Sequence, residues 1–175
     1  MDETSESSTR RRILEFIETH PGASAREIQR SLSLGWGDTA YQLERLVTSS
    51  SLRRDRSTRR DYYFPNHSSL GERTVLVAFQ SPAERAVLVS LSLHPGQSFR
   101  ELASQLKMNK SNLSLHLRFL IRLNLVTVTG QYGVRRYYSA DPARVLELYR
   151  KYRQSWGETW IDRFASAFVG LMPPV

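Results

Sequence analysis

The chain has 175 residues, 40% of them hydrophobic and 24% charged, an ordinary globular composition that suits one domain or two small ones. Twenty-five Lys and Arg against 17 Asp and Glu leave a net charge of +8 and an isoelectric point near 10.2, a balance that favours a polyanionic partner, most often nucleic acid. The absence of cysteine excludes a disulfide framework and a thiolate zinc site, and the longest apolar run, Val75 to Phe79, is far too short to span a membrane.

Residues 1–8, MDETSESS, carry three carboxylates and almost no apolar weight, so they read as a disordered acidic tail and not as a signal sequence. A cytoplasmic protein is expected. Thr9 can cap a helix from Arg10 through Thr19 that buries Ile13, Leu14, Phe16 and Ile17, and His20-Pro21-Gly22 ends it. Ser24 and Glu27 form a capping box for a second helix. A third, from about Trp36 to Ser49, turns Thr39, Leu43, Leu46 and Val47 inward. A hairpin over Leu52 to Phe64 follows, with Arg53, Arg54, Arg56, Arg59 and Arg60 packed into eight residues and Tyr62 and Tyr63 on the inward side. Such arginines either blunt a sheet edge or grip phosphates; residues 10–64 carry 11 basic against 7 acidic side chains, which favours phosphates.

Ser69 to Gln80 is either a short apolar helix or a strand, and a helix packing between modules is favoured because Ser81-Pro82-Ala83-Glu84 restarts one at once, with Ser as cap and Pro at the first position. That helix runs from Pro82 to Leu93. Ser98 and Glu101 form another capping box, for a helix from Phe99 to about Lys107. Asn109 caps the next, in which Leu113, Leu117, Leu120 and Ile121 make one apolar stripe. Its other faces carry Lys110, Ser111, Asn112, Ser114, His116, Arg118 and Arg122, rich in donors for phosphates and base edges and free of carboxylates. Val126 to Thr129 and Val134 to Ser139 then read as strands around Gly130-Gln131-Tyr132-Gly133, with Arg135 and Arg136 just past the tip.

Helix, turn, helix and basic hairpin in this order resemble a winged helix-turn-helix. MNKSNLSLHLRFLIRLNLV is similar to the recognition helix of prokaryotic, and especially archaeal, winged-helix regulators of the MarR/ArsR-like type, over about sixty residues. The resemblance implies that Lys110, Ser111, Asn112, Ser114, His116 and Arg118 enter or border the major groove of double-stranded DNA while Arg135 and Arg136 hold flanking phosphates.

The module occurs twice. His20-Pro21-Gly22 recurs as His94-Pro95-Gly96, and a shift of 74 aligns Leu14 with Leu88, Ser24 with Ser98, Glu27 with Glu101, Leu43 with Leu117 and Leu46 with Leu120. One residue added in the second hairpin then brings Tyr62-Tyr63 onto Tyr137-Tyr138. The expected fold is mainly α with small β-hairpin wings: two tandem winged helix-turn-helix modules, over 9–66 and 82–140, a linker over 67–81, and a C-terminal amphipathic segment over 141–172. Module one departs from the family pattern at Gly35-Trp36-Gly37-Asp38, which replaces the polar cap and places a carboxylate where phosphates would approach. It is expected to read bases poorly and to contribute through its wing and Arg10 to Arg12. Residues 82–140 carry 8 basic against 2 acidic side chains, so module two is the more purely positive.

Asp141-Pro142 starts a last helix whose Leu146, Tyr149, Tyr152, Trp156, Trp160, Phe164 and Phe168 recur every three or four residues, with Gly157 permitting a kink. That aromatic face either folds back over the modules or pairs with its copy in a homodimer, the second being slightly favoured. His20 and His94, each before Pro-Gly, read as helix-end residues and not as metal ligands. No catalytic constellation or Gly-rich phosphate loop stands out, so neither an enzyme nor a cofactor is expected. The function expected is a double-stranded DNA-binding transcriptional regulator or nucleoid-associated protein. The alternative, favoured by Trp36, Asp38 and the aromatic tail, is a protein-interaction scaffold that does not read DNA.

Overall fold

The computed structural model describes residues 3–56, 60–130 and 135–156, with side chains from residue 7 onward. The chain divides into two compact units, Met1–Val77 and Ala78–Val175. Unit 1 runs α1 (Glu3–Thr19), β1 (Ala23–Ser24), α2 (Ala25–Leu32), α3 (Trp36–Thr48), β2 (Leu52–Asp55) and β3 (Tyr62–Pro65); α4 (Leu70–Phe79) carries the division between the units. Unit 2 repeats the order as α5 (Pro82–Leu93), β4 (Gln97–Ser98), α6 (Phe99–Gln105), α7 (Lys110–Arg122), β5 (Val126–Thr129) and β6 (Arg136–Ser139), and adds α8 (Pro142–Tyr152) and a 3₁₀ turn, Arg153–Trp156. Each unit has one antiparallel three-stranded sheet with its last strand in the centre, in the order β1-β3-β2 and β4-β6-β5.

Local chemistry sets the helix starts. At α2 the Glu27 N–H donates to the Ser24 hydroxyl at 3.3 Å and the Ser24 N–H to the Glu27 carboxylate at 3.2 Å; at α6, Ser98 and Glu101 exchange the same bonds at 3.3 and 2.7 Å. These reciprocal bonds satisfy N–H groups that a helix leaves without partners. Asn109 accepts from the Asn112 N–H at 2.8 Å to start α7, whereas α3 starts at Gly35 with no side-chain cap. Ser81 with Pro82 at the first position starts α5, and Asp141 with Pro142 starts α8.

The repeat extends to the backbone. Left-handed conformations occur at Gly22 and Gly96, at Ser33 and Lys107, and at Ser50 and Asn124, each pair 74 residues apart. Only at the glycines is that geometry free of a Cβ penalty. The wings keep the same offset: Ala23 pairs with Tyr63 and Gln97 with Tyr137, while Leu52 pairs with Pro65 and Val126 with Ser139. Tyr62 and Tyr63 are therefore equivalent to Arg136 and Tyr137, and the one-residue insertion expected in the second hairpin is corrected to none. Side chains alternate faces along a strand, so the register decides the point where two adjacent tyrosines in each sequence mislead.

Equivalent residues fill the two cores. In unit 1, Ile13, Ile17, Ile28, Leu43, Leu46, Leu52 and Tyr63 are buried together. In unit 2, Val87, Leu91, Leu102, Leu117, Leu120, Val126 and Tyr137 are buried at the corresponding places. Ile121, expected on the inward stripe of α7, is exposed. Unit 2 also has α8 packed on α5, which buries Val145, Leu146, Leu148 and Tyr149 and leaves α5 covered from Arg85 to Leu91. The described half of the aromatic stripe is thus spent inside its own unit, with the Trp156 ring 5.2 Å edge-on to Phe79 and 4.9 Å from the buried Arg85 guanidinium. Gly157, Trp160, Phe164 and Phe168 lie outside the described residues.

The tail also differs from expectation, because α1 already begins at Glu3. Extending an existing helix by about two turns costs far less than nucleating one, which composition alone does not register. Most of the second hairpin's glycine turn, 131–134, and Arg59 in the first wing lie outside the described residues.

Candidate nucleic-acid interface

Leu113, Leu117 and Leu120 fix α7 in the core of unit 2, and this anchoring decides what the helix presents outward. Lys110, Ser111, Asn112, Arg118 and Arg122 are exposed, and Ser114 is half-buried. No carboxylate stands in the first turn, where the amide dipoles make the helix end attractive to anions. Arg118 folds back along the helix, its Nε 3.4 Å from the Ser114 carbonyl. Leu115 lies on the same outward face and is 58% exposed.

His116 has a different setting from its neighbours. Its Nδ1 is 3.2 Å from the Glu84 carboxylate on α5 and its side chain is 20% exposed, so the ring ties two helices of the unit together.

Beside the start of α7 lies a cleft of about 730 Å³ lined by Ser98, Phe99, Arg100, Ala103, Lys110, Arg135 and Tyr137. Arg100, Lys110 and Arg135 give it three cations, and no carboxylate is among the lining residues. The neighbouring Arg136 is engaged inside the unit: its Nη1 donates to the Glu101 carboxylate at 3.0 Å and to the Gly96 carbonyl at 3.1 Å. Hydrogen bonds from Ser98, with the Arg136 charge adding to them, hold the Glu101 carboxyl below its ordinary pKa. Arg136 thus bolts the wing to the capping box, and Arg135 is the wing cation exposed at the cleft.

Unit 1 has the corresponding cleft, about 770 Å³, with Arg26, Arg30, Arg54 and Arg60 among its lining but also Glu44 and Asp61. Arg54 is 2.7 Å from Glu44 and 3.9 Å from Asp61, and Arg56 is 3.5 Å from Asp61. Arg53 donates to the Asn66 carbonyl at 3.1 Å. On α1, Arg11 pairs with Glu15 at 2.8 Å and Arg12 donates to the Leu32 carbonyl at 2.8 Å. Position by position, Trp36 stands for Lys110, Asp38 for Asn112, Glu44 for Arg118 and Asp61 for Arg135. Trp36 and Tyr41 are about half exposed, at 52% and 50%, and the Arg26 guanidinium lies 5.8 Å from the Trp36 ring centre.

Residues 7–76 match the family model described as an N-terminal HTH domain, and residues 81–128 match that of the bacterial regulatory proteins of the arsR family. The chain is a tandem winged helix-turn-helix protein. No curated protein matches it. The arsR match falls on the module whose recognition helix carried the resemblance in the sequence, and in a tandem winged helix-turn-helix protein α3 and α7 take the recognition position. Helix-turn-helix domains of this kind belong to DNA-binding regulators.

Two residues of the unit 2 face escaped the sequence reading. Arg100 was signalled by its repeat partner Arg26, directly after a capping box. Leu115 is the most exposed large apolar residue of α7, on the face opposite the buried stripe.

Proposed function

We propose that this protein is a double-stranded DNA-binding transcriptional regulator in which unit 2 reads base edges and unit 1 adds phosphate contacts. The observation that carries the reading is the difference between two faces built from equivalent elements. At the positions where unit 2 offers Lys110, Asn112, Arg118 and Arg135, unit 1 offers Trp36, Asp38, Glu44 and Asp61. Carboxylates beside a phosphate backbone repel it, so selection among sequences rests on α7. Lys110, Ser111, Asn112 and Arg118 reach base edges, Ser114 borders them, and His116 positions α7 through Glu84. Arg100 and Arg135, with Arg53, Arg56, Arg59 and Arg60 of the first wing, hold phosphates. Arg54 and Arg136 shape their wings. Two copies joined through the aromatic C-terminal segment would present paired reading helices, and sedimentation of the full chain tests that pairing.

Fluorescence anisotropy with selected and scrambled duplexes at near-physiological salt tests the reading. A bidentate base contact is worth about 1–3 kcal/mol of discrimination, so Asn112→Ala or Arg118→Ala should flatten the preference among sequences about tenfold. If those changes cost no more than Arg60→Ala, and affinity follows salt alone, the protein coats DNA as a nucleoid component. Exposed Trp36 and Tyr41 beside Asp38 and Glu44 favour a second reading, a protein-docking role for unit 1. Failure to bind random duplex even at low salt would transfer the whole protein to that reading.

A further inference from the structure

We infer that Leu115 is a specificity residue that reads the C5-methyl group of a thymine in the major groove. This rests on the proposed reading of DNA by α7. A lone exposed leucine is ordinary on a protein surface, so its exposure does not carry the inference. Its place does. Leu115 lies four residues after Ser111, three before Arg118 and seven before Arg122, on one outward stripe of α7 opposite Leu113, Leu117 and Leu120. It stands in the second turn, within the N-terminal half that a recognition helix brings to base edges. Its neighbours on the stripe have donors for acceptors on bases and phosphates, and Leu115 has neither donor nor acceptor. In the major groove the one apolar feature of a base pair is the thymine methyl group.

The repeat supplies a second observation. Tyr41 occupies the same position on α3, also large and half exposed, although the cations around it have been replaced, Arg118 by Glu44 and Arg122 by Thr48. Both units therefore keep a contact-sized apolar group at the middle of the outward stripe. In unit 2 it is aliphatic and set among cations, which suits a methyl group on a polyanion.

The test compares thymine with deoxyuridine, which lacks only that methyl. The full chain selects its preferred site from a randomised duplex library, each thymine of that site is replaced in turn by deoxyuridine, and affinity is read by anisotropy. Losing one buried methyl contact weakens the wild type about fourfold at one position. Leu115→Ala, at an exposed site, should unfold at the wild-type temperature, bind the thymine duplex as weakly as the wild type binds the uracil one, and show no difference between them. Equal wild-type affinity for every thymine and uracil duplex, or a difference that persists in Leu115→Ala, overturns the inference while base reading by α7 stands. Binding without any selected site overturns it together with base reading, leaving duplex binding intact. No duplex binding at all overturns both.

Discussion

Arg135 and Arg136 are adjacent in sequence, yet Arg136 is tied to Glu101 and the Gly96 carbonyl while Arg135 is exposed, and on the proposed reading the salt dependence of DNA binding separates them. Each phosphate neutralised on B-DNA steepens the fall of log affinity with log salt by about 0.9. On the proposed reading Arg100 and Arg135 are the exposed unit 2 cations that hold phosphates, so together they contribute a slope of about −1.8 beyond any contribution from unit 1. Arg135→Ala removes about 0.9 of that slope, and its deficit relative to wild type shrinks about 3.5-fold between about 50 and 200 mM salt. Arg136→Ala behaves differently, because its guanidinium is already held by Glu101 at 3.0 Å and by the Gly96 carbonyl at 3.1 Å. Its slope stays at the wild-type value. Affinity falls somewhat because the Glu101 carboxylate is left unneutralised beside the cleft, and adding Glu101→Gln, which preserves the capping box, restores it. The assay is anisotropy on one duplex across a salt series. A wild-type slope for Arg135→Ala, or a larger loss of slope in Arg136→Ala, would refute the assignment of the two arginines.

The fold makes two further commitments. Leu117 is buried beneath α7, so Leu117→Ala costs about 2–5 kcal/mol in urea unfolding, whereas Leu115→Ala, outside the core, stays within about 0.5 kcal/mol; similar costs would mean that the helix is rotated from the described position. Ser98→Ala removes the acceptor for the Glu101 N–H and costs about 1 kcal/mol. Because the Ser98 bonds, then Arg136, lower the Glu101 pKa, the carboxylate's stabilising contribution is complete above its ordinary value of 4.5 and is lost as pH falls through the lowered folded value. Glu101→Gln should flatten that part of the acid-unfolding curve, and an unchanged curve between pH 2 and 5 would contradict the linkage.

What could be read from the sequence was local. Ser24 with Glu27, Ser98 with Glu101, and Asn109 ahead of a leucine stripe announce helix starts through contacts three residues apart, and all three starts appear where those residues place them. The His-Pro-Gly repeat exposed the duplication because it ends a helix at the same point of each unit. Partners far apart in the chain were not legible. Glu84 reaches His116 across 32 residues, and Glu101 reaches Arg136 across 35. No spacing rule distinguishes an arginine bound to such a partner from one left exposed. Wing register failed for the same reason: it is set by pairing with β1 and β4, some forty residues away, and not by the tyrosine pairs themselves.

The two units separate what a winged helix needs to fold from what it needs to bind. Core positions retain their character across the 74-residue offset: Leu43 and Leu117, Leu46 and Leu120, Tyr63 and Tyr137 are buried in both. Outward positions change sign, from Arg118 to Glu44 and from Arg135 to Asp61. The new carboxylates of unit 1 turn inward on its own arginines, with Glu44 at 2.7 Å from Arg54 and Asp61 within 4 Å of both Arg54 and Arg56. Exposed ion pairs of this kind contribute little to stability, about 0–1 kcal/mol, so fold maintenance is a weak reason for them. On the proposed reading their larger effect is to offset positive charge on the unit 1 face, most fully at Arg54, which faces both carboxylates. Unit 1 keeps the core, the capping box and the wing while its outward positions carry carboxylates, so the fold does not require a cationic face, and on the proposed reading sequence preference depends on α7.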